Sequence, residues 1–446
     1  MDGHLPARPL SQLAAFPGNF DLALIETVSG PAASRALGGL VDRSLVTPSA
    51  DRTTYRILET VKLFARGTWE QTSEPADYLD RHAQALLTQI DAWSEDDKHM
   101  DLGVAAWHIR HVDDLRAADS HLRASGRSID AARLWTAGVI GWHISQPSIA
   151  VSVLVRMDIA LADQELPIGV RARVELCASG AAMAARDPAR LIASADRAVQ
   201  HAEQAGPDFD VARAFALNVK SWMTMVSDLP AALRLLDESQ TLADAAGAPL
   251  VGLAARGYSG VARALHGDLE VVDLVPGIES AAPTEGTYVL NATRSLFIIC
   301  RLFDDPLEAL RQNEVVFDAL VAAGIDLPWS SHNLRALAFA AAGLVEETVG
   351  ALEVAEHELR RSGNDDGLPD LLLGPAVLAY SMGEPEMAAR WATAVQVSPK
   401  PTQSLPMTSF YRQLRVRVGL AKHSEDLMDT PAIYAEARDW INRLRD

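Results

Sequence analysis

The sequence predicts a mainly α protein, with a small N-terminal unit of helix, helix, β-hairpin and helix followed by a long array of paired helices. Three observations predict it. Composition is the first: 446 residues exceed what one compact core organises, 48% are hydrophobic, 22% charged and only 6% aromatic, and Gly and Pro fall at intervals between apolar stretches rich in Ala and Leu. A change of pattern near residue 75 is the second, where Ser73-Glu74-Pro75 breaks the chain. Third, turn signals beyond that break return at a nearly constant step.

The N-terminal unit spans residues 1–75. Leu22 to about Val28 reads as a short amphipathic helix, and Pro31 opens a second that runs to Arg43. Ser44 to Thr47 reads as extended, Pro48-Ser49-Ala50-Asp51 supplies turn chemistry, and Thr53-Thr54-Tyr55-Arg56-Ile57 is β-branched and aromatic with alternation, so the segment is a hairpin. A further helix places Val61, Phe64, Ala65 and Trp69 on roughly one face. This is the element order of a winged helix.

From residue 76 to 446 the turn signals are Asp187-Pro188, Asp228-Leu229-Pro230, Gly267-Asp268-Leu269, Asp304-Asp305-Pro306, Ala342-Gly343-Leu344 and Met382-Gly383-Glu384-Pro385. Measured from Asp187 through 228, 268, 305, 343 and 383, the steps are 41, 40, 37, 38 and 40 residues, which suits a two-helix repeat. An Ala- and Leu-bearing helix follows each signal, and its small residues let neighbours approach. The class is therefore a small winged-helix unit followed by a tetratricopeptide-like α-solenoid of five to seven repeats, whose units bury their apolar faces only by stacking.

Three strings in the N-terminal unit, Phe16-Pro17-Gly18, Leu40-Val41-Asp42-Arg43-Ser44-Leu45 and Tyr55-Arg56-Ile57-Leu58-Glu59-Thr60-Val61, resemble the winged-helix segment of bacterial regulators of the STAND and LuxR-type class, some of which are fused to adenylate cyclase domains. The likeness continues into His111-Val112-Asp113-Asp114-Leu115-Arg116-Ala117-Ala118, similar to the segment that opens that family's helical repeats, and covers roughly the first 140 residues. The resemblance implies an ATPase domain before Leu13, where only a dozen residues stand, and no G-x-x-x-x-G-K-[ST] occurs in the sequence. A C-terminal LuxR-type helix pair is likewise not seen in the text. The expectation is the sensor half of such a regulator standing alone.

Forty basic against 59 acidic residues give a formal charge of −19, which opposes nucleic acid over any large surface. Residues 1–75 are the exception, with seven basic and eight acidic residues. There Arg35, Arg43, Arg52, Lys62 and Arg66 form a sparse set of candidate phosphate contacts. Cys177 and Cys300 lie in separate apolar stretches without metal or disulfide spacing and read as reduced core residues. The N-terminus has no signal-peptide pattern and no stretch approaches ~18 apolar residues, so the expected location is cytoplasmic, with no membrane contact. The sequon at Asn291 then carries no weight.

Chemistry-bearing patterns are few. Gly257-Tyr258-Ser259-Gly260 lacks the spacing of a hydrolase elbow. His108 and His111 form H-x-x-H beside Asp113 and Asp114, but without a third strong ligand they read as surface histidines, as do His143 and His332. The acidic pairs Asp96-Asp97, Asp304-Asp305, Glu346-Glu347 and Asp365-Asp366 read as solvated turns and helix starts, because sequence neighbours diverge on a helix. Trp135, Trp142, Trp222 and Trp329 are candidates for an effector cleft, with core packing the stronger reading.

The functional expectation is a non-enzymatic regulatory or scaffolding protein, without cofactor or metal, that binds a protein partner or effector; the resemblance points to a separately encoded ATPase or cyclase regulator. Two alternatives stand beside it. One is a DNA-binding transcriptional regulator using residues 1–75, and the other is a remnant of a split or truncated regulator.

Overall fold

The structure, a computed structural model, describes residues 13, 16–49, 54–69, 75–95, 100–281, 288–325, 327, 329–361, 367–396, 405–419 and 430–445. It is mainly α with one small sheet. The chain divides into two compact units, one reaching to Ala212 and the other running from Arg213 onward and also taking in residues 100–103.

The N-terminal unit begins with β1 (Phe20–Asp21), α1 (Leu22–Ser29), α2 (Ala33–Asp42), β2 (Val46–Pro48), β3 (Thr54–Ile57) and α3 (Glu59–Trp69). Asp21 caps α1, accepting from the Leu24 amide at 2.7 Å, and Gly30 ends it at φ +84°. Leu24, Ile25 and Val28 are buried with Leu37 and Leu40 of α2. The expected hairpin is present, and Phe20–Asp21 adds a third strand, giving the antiparallel order β1-β3-β2 with Phe20 opposite Tyr55 and Val46 opposite Ile57. A two-residue strand is too short to alternate.

Two local expectations need correction. Ser44 is not extended but turns in the left-handed region at φ +58°, reversing the chain so that Leu45 can donate back to the Leu40 carbonyl. Phe64 does not share the buried face of Ala65: it is 70% exposed, and Leu58 and Leu63 beside it are also exposed. Ala65 is buried and Val61 half-buried. Arg52, Thr53 and the rest of the turn from Ala50 lie outside the described residues, as do the side chains of Arg66 and Trp69.

The unit continues through α4 (Pro75–Glu95), α5 (Leu102–Arg110), α6 (Val112–Ala124), α7 (Ser128–Arg133), α8 (Val139–His143), α9 (Pro147–Leu161), α10 (Ile168–Ala184) and α11 (Pro188–Ala205). Short α8 threads its glycine past its neighbours: a Cβ on Gly141 would stand 2.8 Å from the Ala105 carbonyl oxygen. A Cβ on Gly180 of α10 would stand 2.5 Å from the Val139 oxygen. Around this close approach Trp135 and Trp142 are fully buried, 5.9 Å apart between ring centroids, so the core reading of these two holds.

Beyond it the helices run in consecutive pairs. They are α12 (Asp210–Ser227) with α13 (Leu229–Ala245), α14 (Pro249–Leu265) with a 3₁₀ turn and α15 (Val275–Ala281), α16 (Tyr288–Arg301) with α17 (Pro306–Ala322), α18 (Trp329–Ala341) with α19 (Val345–Arg361), and α20 (Leu368–Leu371) with α21 (Leu373–Ser381) and α22 (Pro385–Gln396). The periodic turn signals fall at the joint inside each pair. Asp228 and Asp305 accept from the amides of Ala231 and Glu308 at 2.9 and 3.3 Å, as Asp187 does from Arg190 in the pair α10 and α11. Gly267, Gly343 and Gly383 turn at φ +96°, +72° and +83°. The sequence period is thus a period of helix caps.

A second recurrence was not legible. Asn218 of α12 and Asn333 of α18, both fully buried, donate their side-chain amides to the carbonyls of Val251 at 3.2 Å and Asp370 at 3.1 Å, each at the start of the next pair. The chain closes with α23 (Leu405–Arg417) and α24 (Thr430–Arg445). Helix α24 packs on the last pairs, where Tyr434 and Arg438 both engage Glu356.

Candidate functional site

The basic set of the N-terminal unit is only partly displayed. Arg35 on α2 and Arg43 at its C-cap are exposed, with no partner among the described residues. Lys62, by contrast, turns inward and donates to the Pro17 carbonyl at 2.5 Å, pinning the Phe16-Pro17-Gly18 segment instead of facing solvent. Arg52 and the Arg66 side chain lie outside the described residues.

The H-x-x-H segment is where the surface reading fails most clearly. His108 and His111 are both buried, because α5 and the start of α6 run through the interior of the N-terminal unit. His111 bridges two carboxylates: its Nδ1 lies 3.1 Å from Asp114 Oδ2 and its Nε2 3.2 Å from Asp21 Oδ2. His82 of α4 brings Nε2 to 3.3 Å from Asp114 Oδ1, a charge contact without hydrogen-bond alignment. Phe16 packs edge-on against His82 at 5.1 Å and Tyr78 at 6.4 Å, and Tyr78 shares a 2.6 Å hydrogen bond with Ser29. The two landmark strings of the sequence, around Phe16 and around His111, therefore meet in space. A Cβ on Gly18 would come within 3.3 Å of Asp113.

Burial would push the His111 imidazolium down, but hydrogen bonds and charge from Asp114 and Asp21 outweigh it and raise its pKa. Burial would likewise raise Asp114 and Asp21, and the facing imidazoles hold both below the usual carboxylate value. His108, lacking a carboxylate, is pushed by burial to about 4 and stays neutral, bonded at 2.9 Å to the Val104 carbonyl. The cluster holds elements together. Among the described residues no trio of His, Cys, Asp or Glu is gathered as a metal site would be.

Other candidates resolve into structure. Cys177 and Cys300 are buried and unpaired, their thiols pushed by burial to about 12. Gly257-Tyr258-Ser259-Gly260 lies inside α14, with Asp305 and the pair Glu346-Glu347 at helix starts. Asp96-Asp97 and Asp365-Asp366 lie outside the described residues. Trp329 is buried, whereas Trp222 is half-buried against Tyr258. His332 is half-buried against Phe317.

In the C-terminal unit, α13, α14 and α15 enclose an open groove of about 770 Å³. Its apolar floor includes Leu236 and Ile278, while Arg234 and Arg256 stand exposed at its edge without a partner among the described residues. Among the described residues Arg301 and Arg443 of this unit also have none, whereas others are paired. Arg213, Arg263, Arg311, Arg335 and Arg417 each have a carboxylate within 2.7 Å. Periodic spacing gave no signal for this groove, because Leu233, Leu236 and Gln240 belong to the stripe that any packed helix shows.

Among the described residues no helix is long and apolar enough to cross a membrane. No family model matches the chain, and no curated protein does. Among solved structures it is similar to a signal transduction ATPase with numerous domains (STAND) protein with a tetratricopeptide repeat sensor from Pyrococcus horikoshii, at 14% identity and a TM-score of 0.44 over 100% of this chain and 64% of that one. The chain thus spans 64% of the length of the structure it matches.

Proposed function

We propose that this chain is a non-enzymatic regulatory or scaffolding protein that binds a protein partner or effector through its paired-helix array. The observation that carries this reading is the groove between α13, α14 and α15, where Arg234, Arg256, Asp237 and Asp273 line the rim of an apolar floor. Ligand sites are concave, mostly apolar and supplied with a few polar groups, and a volume of 770 Å³ is within their range. The partner we infer is a separately encoded ATPase or cyclase regulator, for which the sequence resemblance is the ground. A photo-crosslinking residue at Arg256 tests the reading in cells. Capture of one defined ATPase- or cyclase-bearing protein there, reduced by Arg234→Glu, is the expected result. Failure to crosslink any protein or small effector at Arg256 would remove the groove, and with it this reading.

A further inference from the structure

The segment from Phe16 to Trp69 is tied mostly to itself. Its strands pair with one another, α2 packs on α1 and β2, and Lys62 reaches back to the Pro17 carbonyl. Its main seat on the helices beyond is α1 against α4, both inside the N-terminal unit. Along that seam Phe16 meets Tyr78 and His82, and Ser29 bonds Tyr78. A charged tie crosses beside it. Asp21 serves both sides at once: Oδ1 accepts from the Leu24 amide at 2.7 Å to cap α1, and Oδ2 lies 3.2 Å from His111 Nε2 at the head of α6.

His111 meets titratable groups from each side. Asp114 on α6 holds its Nδ1 at 3.1 Å, and His82 of α4 touches the other oxygen of Asp114 at 3.3 Å. From α5 come His108 and Arg110, whose charges act on His111 and Asp21, and the Trp107 ring 4.6 Å away. Only the imidazolium has two N–H groups to give; a neutral ring has one and can serve one carboxylate. Asp114 is fully buried and Asp21 half-buried, so the remaining N–H stays on Asp114, and water takes over at Asp21. We infer that a proton on His111 fastens residues 16–29 to the helices: with both N–H groups present the ring ties Asp21 to Asp114 across the seam, and without one Asp21 is released and α1 opens from α4 ahead of the rest of the unit. The raised pKa of His111 fixes the direction. The tie is complete below the unfolded value of about 6.5 and is lost as pH rises through the folded value, while Asp21 and Asp114 stay ionised and His108 stays neutral. This inference goes beyond the groove and does not depend on it.

The test is amide hydrogen exchange of the full chain at pH 6 and pH 9, corrected for the intrinsic rise of exchange with pH. Residues 22–29 should exchange faster at pH 9, by about tenfold for each unit that the folded pKa of His111 exceeds the unfolded one, and at both pH values ahead of α10. Asp21→Asn keeps the cap, because asparagine caps as well as aspartate, and removes the charge that His111 holds. In that variant residues 22–29 should already exchange fast at pH 6, and most of the pH difference should vanish. Corrected rates equal at pH 6 and pH 9, α1 and α10 exchanging in step, or an Asp21→Asn chain with the pH difference intact would each overturn the inference. Should the variant fold poorly, the two-pH comparison on the unaltered chain decides by itself.

Discussion

The two units bury their polar groups by different means. In the N-terminal unit the interior carboxylates each meet donor side chains: Asp114 meets His111 and His82, Asp119 meets Arg123, Arg156 and Trp135, and Glu175 meets Arg197. In the C-terminal unit the buried polar groups are mostly amides and hydroxyls, such as Asn218, Ser239, Thr293, Asn333 and Thr348, with Arg294 and Asp370 as charged exceptions. A buried charge that loses its partner costs several kcal/mol, whereas a neutral amide that loses one costs less and responds little to pH. The N-terminal unit should therefore be the pH-sensitive, mutation-sensitive half, and the array the tolerant one.

Replacing His111 by Ala is the most direct way to break that contrast. It leaves buried Asp114 with only the His82 contact and Asp21 without its imidazole, and a loss of about 3–5 kcal/mol is expected from chemical denaturation. Its pH dependence sharpens the same point. The raised pKa of His111 means its stabilisation is complete below the unfolded imidazole value of about 6.5 and is lost as pH rises through the folded value. The depressed Asp21 and Asp114 contribute above the unfolded carboxylate value of about 3.9 and lose that contribution as pH falls through their folded values. His108, held near 4, subtracts stability below about 6.5, where the unfolded chain takes up a proton that the folded one refuses. Trp107, whose ring lies 4.6 Å from that of His111, provides the fluorescence readout. Melting that is flat between pH 6 and 9 would refute the assignment.

In the array the corresponding changes should be milder. Asn218→Ala or Asn333→Ala removes a side-chain donor to a carbonyl of the next pair, with an expected cost of about 0.5–1.5 kcal/mol measured by urea titration and no dependence on pH. Asp228→Ala removes one cap, and about 1 kcal/mol should follow in the same measurement. Smallest of all, Arg35→Ala with Arg43→Ala should shift stability by less than about 0.5 kcal/mol, since neither has a partner among the described residues. The same pair tests DNA contact: on our reading, duplex DNA at low salt produces no salt-sensitive binding for this substitution to abolish.

What the sequence made legible follows the same division. The joints of the array were readable because Asp before Pro, and Gly at a left-handed turn, are local backbone chemistry. Helix, helix, hairpin and helix were readable for the same reason. The placement of His108 and His111 was not, since one partner of His111, Asp21, lies 90 residues away, and His82, which meets Asp114, lies 32 residues before it. Asn218 and Asn333 each left one faint sign, the single side-chain amide of its helix. Arg412 and Gln413 of α23 left none, because their acceptors, at Leu265 and Ile299, are main-chain carbonyls, which no residue type announces.

The self-contained caps have an evolutionary consequence. At Asp187, Asp228 and Asp305 the cap bonds to its own turn, so the cap itself asks nothing of the neighbouring pair. A duplication or deletion of one unit, at the observed step of 37 to 41 residues, would carry its own punctuation with it. Lengthening or shortening the array should thus be among the easiest heritable changes open to this chain, while the cross-linked interior around His111 resists insertion.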